Sequence, residues 1–185
     1  MDASENPRSH EPQDLTRPGE AGAAADVLVE GHAAVQVSLL EQLLQACREE
    51  APQICCFDAD FQHWPLSNPQ WLEALRHWAA PHRRLRLLAR DYEPVARQHP
   101  RFVQWRQRFA HVVEARLLSD EGPVDHRRPA ALLLGRPPRL WRLIDARQGR
   151  AVVQTDASAY GAALEWFDAI AQRSEESFAA STLGL

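Results

Sequence analysis

The stretch ICCFDADFQHW, residues 54–64, brings together residue types that bind metal ions or carry out acid–base chemistry. It holds Cys55, Cys56, Asp58, Asp60 and His63. Neighbouring residues of a strand point to opposite faces, so the two cysteines cannot bind one metal ion without distortion. Zinc sites usually separate paired cysteines by two to four residues, and free cysteine packs as a small hydrophobic residue. We therefore predict that both cysteines are buried, with no metal and no cofactor bound.

Asp58, Asp60 and His63 follow a short apolar run that is typical of a buried strand. In α/β sheets, ligands collect beyond the carboxyl ends of the strands, which makes these three residues candidate ligand contacts. The alternative is structural, because aspartates in turns commonly accept hydrogen bonds from nearby backbone amides. The sequence leaves both interpretations open.

A second polar group follows the next strand, in LLARDYEP. Arg90 and Asp91 are expected at the same edge of the sheet as Asp58, and they are also candidate ligand contacts. Asp91 could equally cap the following helix, and Arg90 could pair with an acidic neighbour. Arg101, in HPRFVQWRQRFAH, completes the candidate ligand-binding set.

Arginines interleaved with aromatic residues around Arg101 also raise the possibility of nucleic-acid binding, through phosphate contacts and base stacking. The charge is uneven: residues 1–60 carry a balance of −9, residues 61–150 carry +9, and residues 151–185 carry −4. All the basic residues are arginines, and the sequence contains no lysine. An amphipathic helix explains the same pattern, and the overall pI of about 6.1 argues against a dedicated nucleic-acid-binding protein.

The composition fits one globular domain preceded by a tail. Residues 1–25 are rich in Pro, Glu, Ser, Gly and Ala and have no periodic apolar pattern, so we predict a disordered tail there and a folded domain over residues 26–185. No apolar run approaches the ~20 residues that cross a bilayer, and the N-terminal sequence lacks the features of a secretory signal. With three cysteines, two of them adjacent, a disulfide framework is not expected. We expect a cytoplasmic protein with reduced thiols and no membrane contact.

Apolar periodicity divides the domain into alternating strands and helices. A strand begins at Val27, and Ser38 with Glu41 fits a capping box at the start of the first helix. Asn68 and Pro69 fit the start of the second helix, and two short helices meet near Pro100. The pattern predicts an α/β fold with a mixed β-sheet flanked by helices: three βα units, a β-meander and a C-terminal helix.

This order resembles one half of the phospholipase D fold, over roughly residues 25–185. The sequence is most similar to an uncharacterised group of bacterial phospholipase-D-like domains, some of which lie downstream of acetyltransferase domains. The stretches that carry the resemblance are ICCFDADFQHWPL, LRLLARDYEPVARQHPRFVQWRQRF and FDAIAQRSEESFAASTLGL.

The resemblance also implies what the chain lacks. Active members carry His-x-Lys-x-x-x-x-Asp in each half, where one histidine attacks phosphorus, the other protonates the leaving group, and lysine stabilises the phosphate charge. This chain has no lysine. His126 is followed by Arg128, but the Asp position is Leu133; His82 is followed by Arg84, but the Asp position is Ala89. A phosphodiesterase of this type is therefore not expected.

Three classes of function follow from these observations. The first is a catalytically inactive phospholipase-D-like module for binding or assembly, acting as a homodimer or with a protein partner such as an acetyltransferase. The second is an enzyme that uses the carboxylates and histidines at the strand ends. The third is nucleic-acid binding by the arginine-rich middle region. For a dimer, Trp64 and Trp105 are the expected interface residues, because both lie outside the clearest core-facing positions.

Overall fold

The computed structural model describes residues 26–118 and 130–178. The predicted disordered tail and the stretch with His126 and Arg128 lie outside the described residues. The described elements are, in chain order, β1 Val27–Glu30, α1 His32–Arg48, β2 Gln53–Phe57, α2 Pro69–Trp78, β3 Arg84–Ala89, α3 Glu93–Gln98, α4 Pro100–Arg108, a 3-10 helix Ala110–Val112, β4 Val113–Leu117, β5 Ala131–Gly135, β6 Pro138–Asp145, β7 Arg150–Gln154, α5 Ala157–Ala171 and β8 Glu175–Glu176.

The described strands form one mixed sheet in the order β1-β7-β6-β5-β2-β3-β4-β8. Strands β2, β3 and β4 are parallel, whereas the other neighbouring pairs are antiparallel. The predicted α/β fold with a mixed sheet is confirmed. β5 to β7 form the expected meander, and α5 follows it.

The sheet is covered on both faces by apolar side chains. Helices α1 to α4 cover the larger core on one face, and α5 covers a smaller core on the other. Cys56 lies in the larger core and Cys55 in the smaller one, each 1% exposed. The prediction that the two adjacent thiols are buried on opposite faces of a strand is confirmed.

The local signals for helix starts gave mixed results. Helix α2 begins as predicted: Pro69 is its first residue, and the Asn68 side chain accepts hydrogen bonds from the backbone N–H groups of Gln70 and Trp71. The capping box at Ser38 is wrong, since α1 already begins at His32. Gly31, with φ of 98°, turns the chain out of β1, and Val35 is buried one turn before Ser38.

The expected interface tryptophans are both in the core, so that expectation is wrong. Trp64 is 4% exposed and packs against the rings of Phe61 and Trp141. Trp105 is 7% exposed and stacks between Phe102 and Phe109. Strand β8 is an element that the sequence did not indicate. None of the described helices has the length and apolarity of a membrane-spanning segment.

Candidate functional site

The carboxyl ends of β2, β3 and β4 lie side by side, because the parallel register pairs Phe57 with Leu88 and Ala89 with Leu117. The loops that follow these strands are joined by backbone hydrogen bonds. The N–H of Arg90 donates to the carbonyl oxygen of Ala59 at 3.0 Å, and the N–H of Asp91 donates to the same oxygen at 3.2 Å. The two polar groups singled out in the sequence therefore share one edge of the sheet.

Asp58 is half-buried, and both of its carboxylate oxygens are engaged. Oδ1 accepts hydrogen bonds from the backbone N–H groups of Asp60, at 3.0 Å, and Phe61, at 2.9 Å. Oδ2 accepts from the indole Nε1 of Trp64 at 2.9 Å. The carboxylate thus folds the loop after β2 into a tight turn over the buried rings of Phe61 and Trp64.

Asp60 and Asp91 make the same kind of local bond. Asp60 Oδ1 accepts from the N–H of Gln62 at 2.9 Å, and Asp91 Oδ1 accepts from the N–H of Glu93 at 2.8 Å. The second bond satisfies the amide of Glu93, the first residue of α3, although the N-cap position itself is held by Tyr92. These carboxylates are therefore already used in building the turns of this edge.

His63 differs from the aspartates, because its side chain is exposed and faces a cleft of about 530 Å³. The opposite wall comes from the first turns of α1 and from the turn between β6 and β7. The lining residues are His32, Val35, Gln36, His63, Leu143, Ala146 and Gly149. Among the sequence-predicted candidates, His63 alone lines this cleft.

Neither of the two arginine candidates, Arg90 and Arg101, is buried. Arg90 is half-buried and Arg101 is exposed in the first turn of α4.

His99, at the N-terminal end of α4, lies with Nε2 3.2 Å from the carbonyl oxygen of Phe61, and this contact links α4 to the loop after β2. Arg106 is buried, with its guanidinium 4.6 Å from the ring centroid of Phe178. Burial lowers the pKa of Arg106.

The cysteines are not available for nucleophilic chemistry. Burial raises the pKa of Cys55 to about 12 and that of Cys56 well above the ordinary thiol value. Nucleophilic cysteines react as thiolates, so these thiols are unreactive near neutral pH. Within residues 26–118 and 130–178, no three His, Cys, Asp or Glu side chains are arranged to hold a metal ion.

Six of the seven residues that line the cleft were missed from the sequence, among them His32, Gln36 and Gly149. The one available signal was their position, because Gly31 and His32 follow a strand and Gly149 lies in a turn between two strands. Their meeting depends on long-range pairing. Strand β1 pairs with β7, more than a hundred residues away, and the N–H of Gly31 donates to the carbonyl oxygen of Gly149 at 2.8 Å.

The open sheet of eight described strands, with its polar loops at the carboxyl edge, is similar to the phospholipase D fold. Nuc from Salmonella typhimurium, a phospholipase D family member, matches with a TM-score of 0.55 and 11% identity, over 84% of this chain and 99% of Nuc. NucT from Helicobacter pylori matches with a TM-score of 0.56 and 10% identity, over 83% of this chain and 99% of NucT.

The chain belongs to the family DUF7931, a domain of unknown function, whose model matches residues 32–177. TrmBL2, described as an archaeal chromatin protein with a novel mode of DNA binding, is also similar, with a TM-score of 0.55 and 15% identity. The match covers 88% of this chain but 57% of TrmBL2. No curated protein matches the chain.

Proposed function

We propose that this chain is a non-catalytic phospholipase-D-like module of the bacterial cytoplasm that serves in binding or assembly. The observation that carries the proposal is the complete absence of lysine, which removes the residue that stabilises the phosphate charge in active members. The residues at the Asp position of the motif support the proposal. Leu133, counted from His126, and Ala89, counted from His82, are apolar residues that are 2% and 0% exposed in the two cores.

A phosphodiesterase assay tests this proposal. The purified chain should not hydrolyse bis(p-nitrophenyl) phosphate or a phospholipid above the rate in buffer. The variants His126→Ala and His111→Ala, the second at the histidine that ends the stretch HPRFVQWRQRFAH, should behave in the same way, and they serve to identify contaminating host enzyme. If the natural chain hydrolysed the substrate and either substitution abolished this activity, the family chemistry would have survived without lysine.

The partner that we propose first is a second copy of the chain. The phospholipase D fold usually works as two halves, within one chain or across a symmetric dimer, and residues 26–185 correspond to one such half. Closed twofold dimers are also the commonest assemblies of soluble proteins. A protein partner such as an acetyltransferase is the alternative that the resemblance to phospholipase-D-like domains suggests.

Nucleic-acid binding is the second candidate, favoured by the balance of +9 over residues 61–150 and by the DNA binding attributed to TrmBL2. The packing of α4 weighs against it. Phe102, Trp105 and Arg106 are buried, so they are not free to stack on bases or to contact phosphates. Titration with a mixture of DNA and RNA fragments at several salt concentrations would decide the matter, because phosphate contacts give affinity that falls steeply with salt.

A further inference from the structure

The cleft beside His63 has the size and lining of a small-molecule site. Ligand sites in proteins measure roughly 300–1,000 Å³ and combine apolar walls with a few polar groups. This cleft measures about 530 Å³. Val35, Leu143, Ala146 and Gly149 form its apolar part, and His32, Gln36 and His63 are its polar residues.

The polar groups favour a negatively charged ligand. None of the residues that line the cleft is an aspartate or glutamate. Two imidazoles and one carboxamide can donate hydrogen bonds. Nε2 of His32 lies 3.2 Å from the carbonyl oxygen of Ala146 and donates its proton there, so Nδ1 donates to a ligand only in the imidazolium form, in which both ring nitrogens carry a proton. Helix α1 has no acidic residue in its first turn, so the positive end of its dipole is not offset there.

The walls of the cleft are held in place by contacts that do not involve a ligand. On one side, Asp58 closes the turn before His63, and Trp64 packs against Trp141 immediately after it. On the other side, the N–H of Gly31 bonds to the carbonyl oxygen of Gly149. Binding to a site that is already ordered has a smaller entropic cost, because little of the chain has to become ordered when the ligand binds.

We propose that this cleft binds a small organic anion, with a carboxylate or phosphate held by His32, His63 and Gln36 and an apolar body against Val35 and Leu143. This inference names a ligand class for the binding role proposed above, and it rests on that role. It requires no hydrolysis, so its test differs from the phosphodiesterase assay and the two proposals can fail separately.

Benzoate and phenyl phosphate are the probes, and benzyl alcohol is the uncharged comparison. Backbone amide signals of the full chain are followed by NMR during titration at about pH 6.5. We expect saturable shifts centred on the amides of Gln36, Ala146 and Gly149 with at least one of the two anions, and a response to benzyl alcohol that is at least tenfold weaker. The anion that binds more tightly distinguishes a carboxylate ligand from a phosphate ligand.

Substitutions localise the binding. His63→Ala should weaken the affinity about tenfold, because it removes a hydrogen bond to a charged group. His82→Ala, at an exposed histidine outside the cleft lining, should leave the affinity unchanged. Ala146→Trp should fill the cleft and abolish binding, and Ala162→Trp, at an exposed position of α5, is the matched control. Thermal unfolding of each variant verifies that it is folded.

Three results would overturn the proposal. The first is the absence of saturable shifts with both anions. The second is equal binding of benzyl alcohol, which would remove the requirement for negative charge. The third is binding that survives both His63→Ala and Ala146→Trp in folded protein, which would place the ligand elsewhere on the surface.

Discussion

At the residue scale, Asp58 lies beside a candidate site, but both of its carboxylate oxygens accept hydrogen bonds that hold its own loop together. Its two oxygens accept three hydrogen bonds, from two backbone amides and one indole N–H. Two of the donors belong to Phe61 and Trp64, both buried, so water cannot easily replace the carboxylate as their partner. Asp58 therefore acts on the cleft indirectly, by fixing the loop that carries His63.

We predict that Asp58→Ala lowers the free energy of unfolding by about 2–3 kcal/mol, because it leaves buried donors without acceptors. Asp60→Ala is the matched control: Asp60 accepts one bond, from the N–H of the exposed Gln62, and its loss should cost less than about 1 kcal/mol. Urea unfolding followed by tryptophan fluorescence measures both. Equal stability of the two variants would contradict a structural role for Asp58 and return it to the ligand candidates.

Gly149 occupies a position that admits no side chain. Its φ of 62° is left-handed, and an added Cβ would lie 2.6 Å from the backbone nitrogen of His32. We predict that Gly149→Ala destabilises the chain by at least about 1–2 kcal/mol, since it combines left-handed strain with a clash against backbone. Gly161→Ala provides the contrast, because a Cβ there meets open space within α5.

Gly161→Ala should raise the free energy of unfolding by about 0.5–1 kcal/mol, as alanine does in a helix interior. Thermal or urea unfolding of the two variants gives the comparison directly. If Gly149→Ala were as stable as the natural chain, the close contact between α1 and the turn before β7 would be wrong, and the described shape of the cleft with it.

At the scale of elements, the sequence was informative wherever a signal was local. The apolar run of β2 and the Asn68 cap of α2 each depend on a few adjacent residues, and both features were predicted from the sequence. The start of α1 was predicted at Ser38 because Ser38 and Glu41 match a capping box. The helix in fact begins at His32, and the burial of Val35 against the core, which the local sequence does not indicate, accompanies the earlier start. Strand β8 has two residues, both glutamates, and exists through pairing with β4, which no local pattern indicates.

Buried thiols on β2 and α1 make the stability of the chain depend on pH. Burial raises the pKa of Cys55 to about 12, and that of Cys47, on α1, to about 12 as well. The unfolded chain then ionises at lower pH than the folded chain, so the stabilisation is complete below the ordinary thiol pKa and is lost as pH rises above it. We predict that the free energy of unfolding begins to fall as the pH rises through the ordinary thiol pKa of 9.0 and keeps falling towards about pH 12, by up to about 1.4 kcal/mol per pH unit for each buried thiol.

Urea unfolding at several pH values measures this slope. Cys55→Ala should make it shallower, because one titrating group has been removed. Leu134→Ala is the control: it opens a cavity at a residue that is 1% exposed but removes no titrating group, so it should lower stability equally at every pH. A slope unchanged by Cys55→Ala would show that this thiol does not ionise differently in the folded and unfolded chain.

At the scale of the whole molecule, the sequence located an edge of the sheet but not the cleft. His63 was identified because it follows a strand end, as the rule for α/β sheets predicts. Its partners across the cleft come from the beginning and the later part of the chain, brought together by the pairing of β1 with β7. One sequence contains no local sign of that pairing, so His32 and Gly149 could not be assigned to the same site.

We expect the chain to form a twofold dimer through β1, which is an edge strand of the sheet formed by the described residues. Val27 and Leu28 are 59% and 49% exposed there. A free edge with apolar side chains favours pairing with another strand, and antiparallel pairing of β1 with itself satisfies twofold symmetry. Light scattering at tens of micromolar should give twice the chain mass of 20.9 kDa.

Substitution at the edge tests the location of this interface. Leu28→Arg should convert the dimer to the monomer, because two guanidinium groups would be brought close together at the twofold axis. Val37→Arg, at a residue of α1 that is 54% exposed, should leave the mass unchanged. A natural chain that scatters as a single 20.9 kDa particle would exclude the dimer. A dimer that persists in Leu28→Arg would instead place the contact away from β1, so the two measurements separate the existence of the assembly from its geometry.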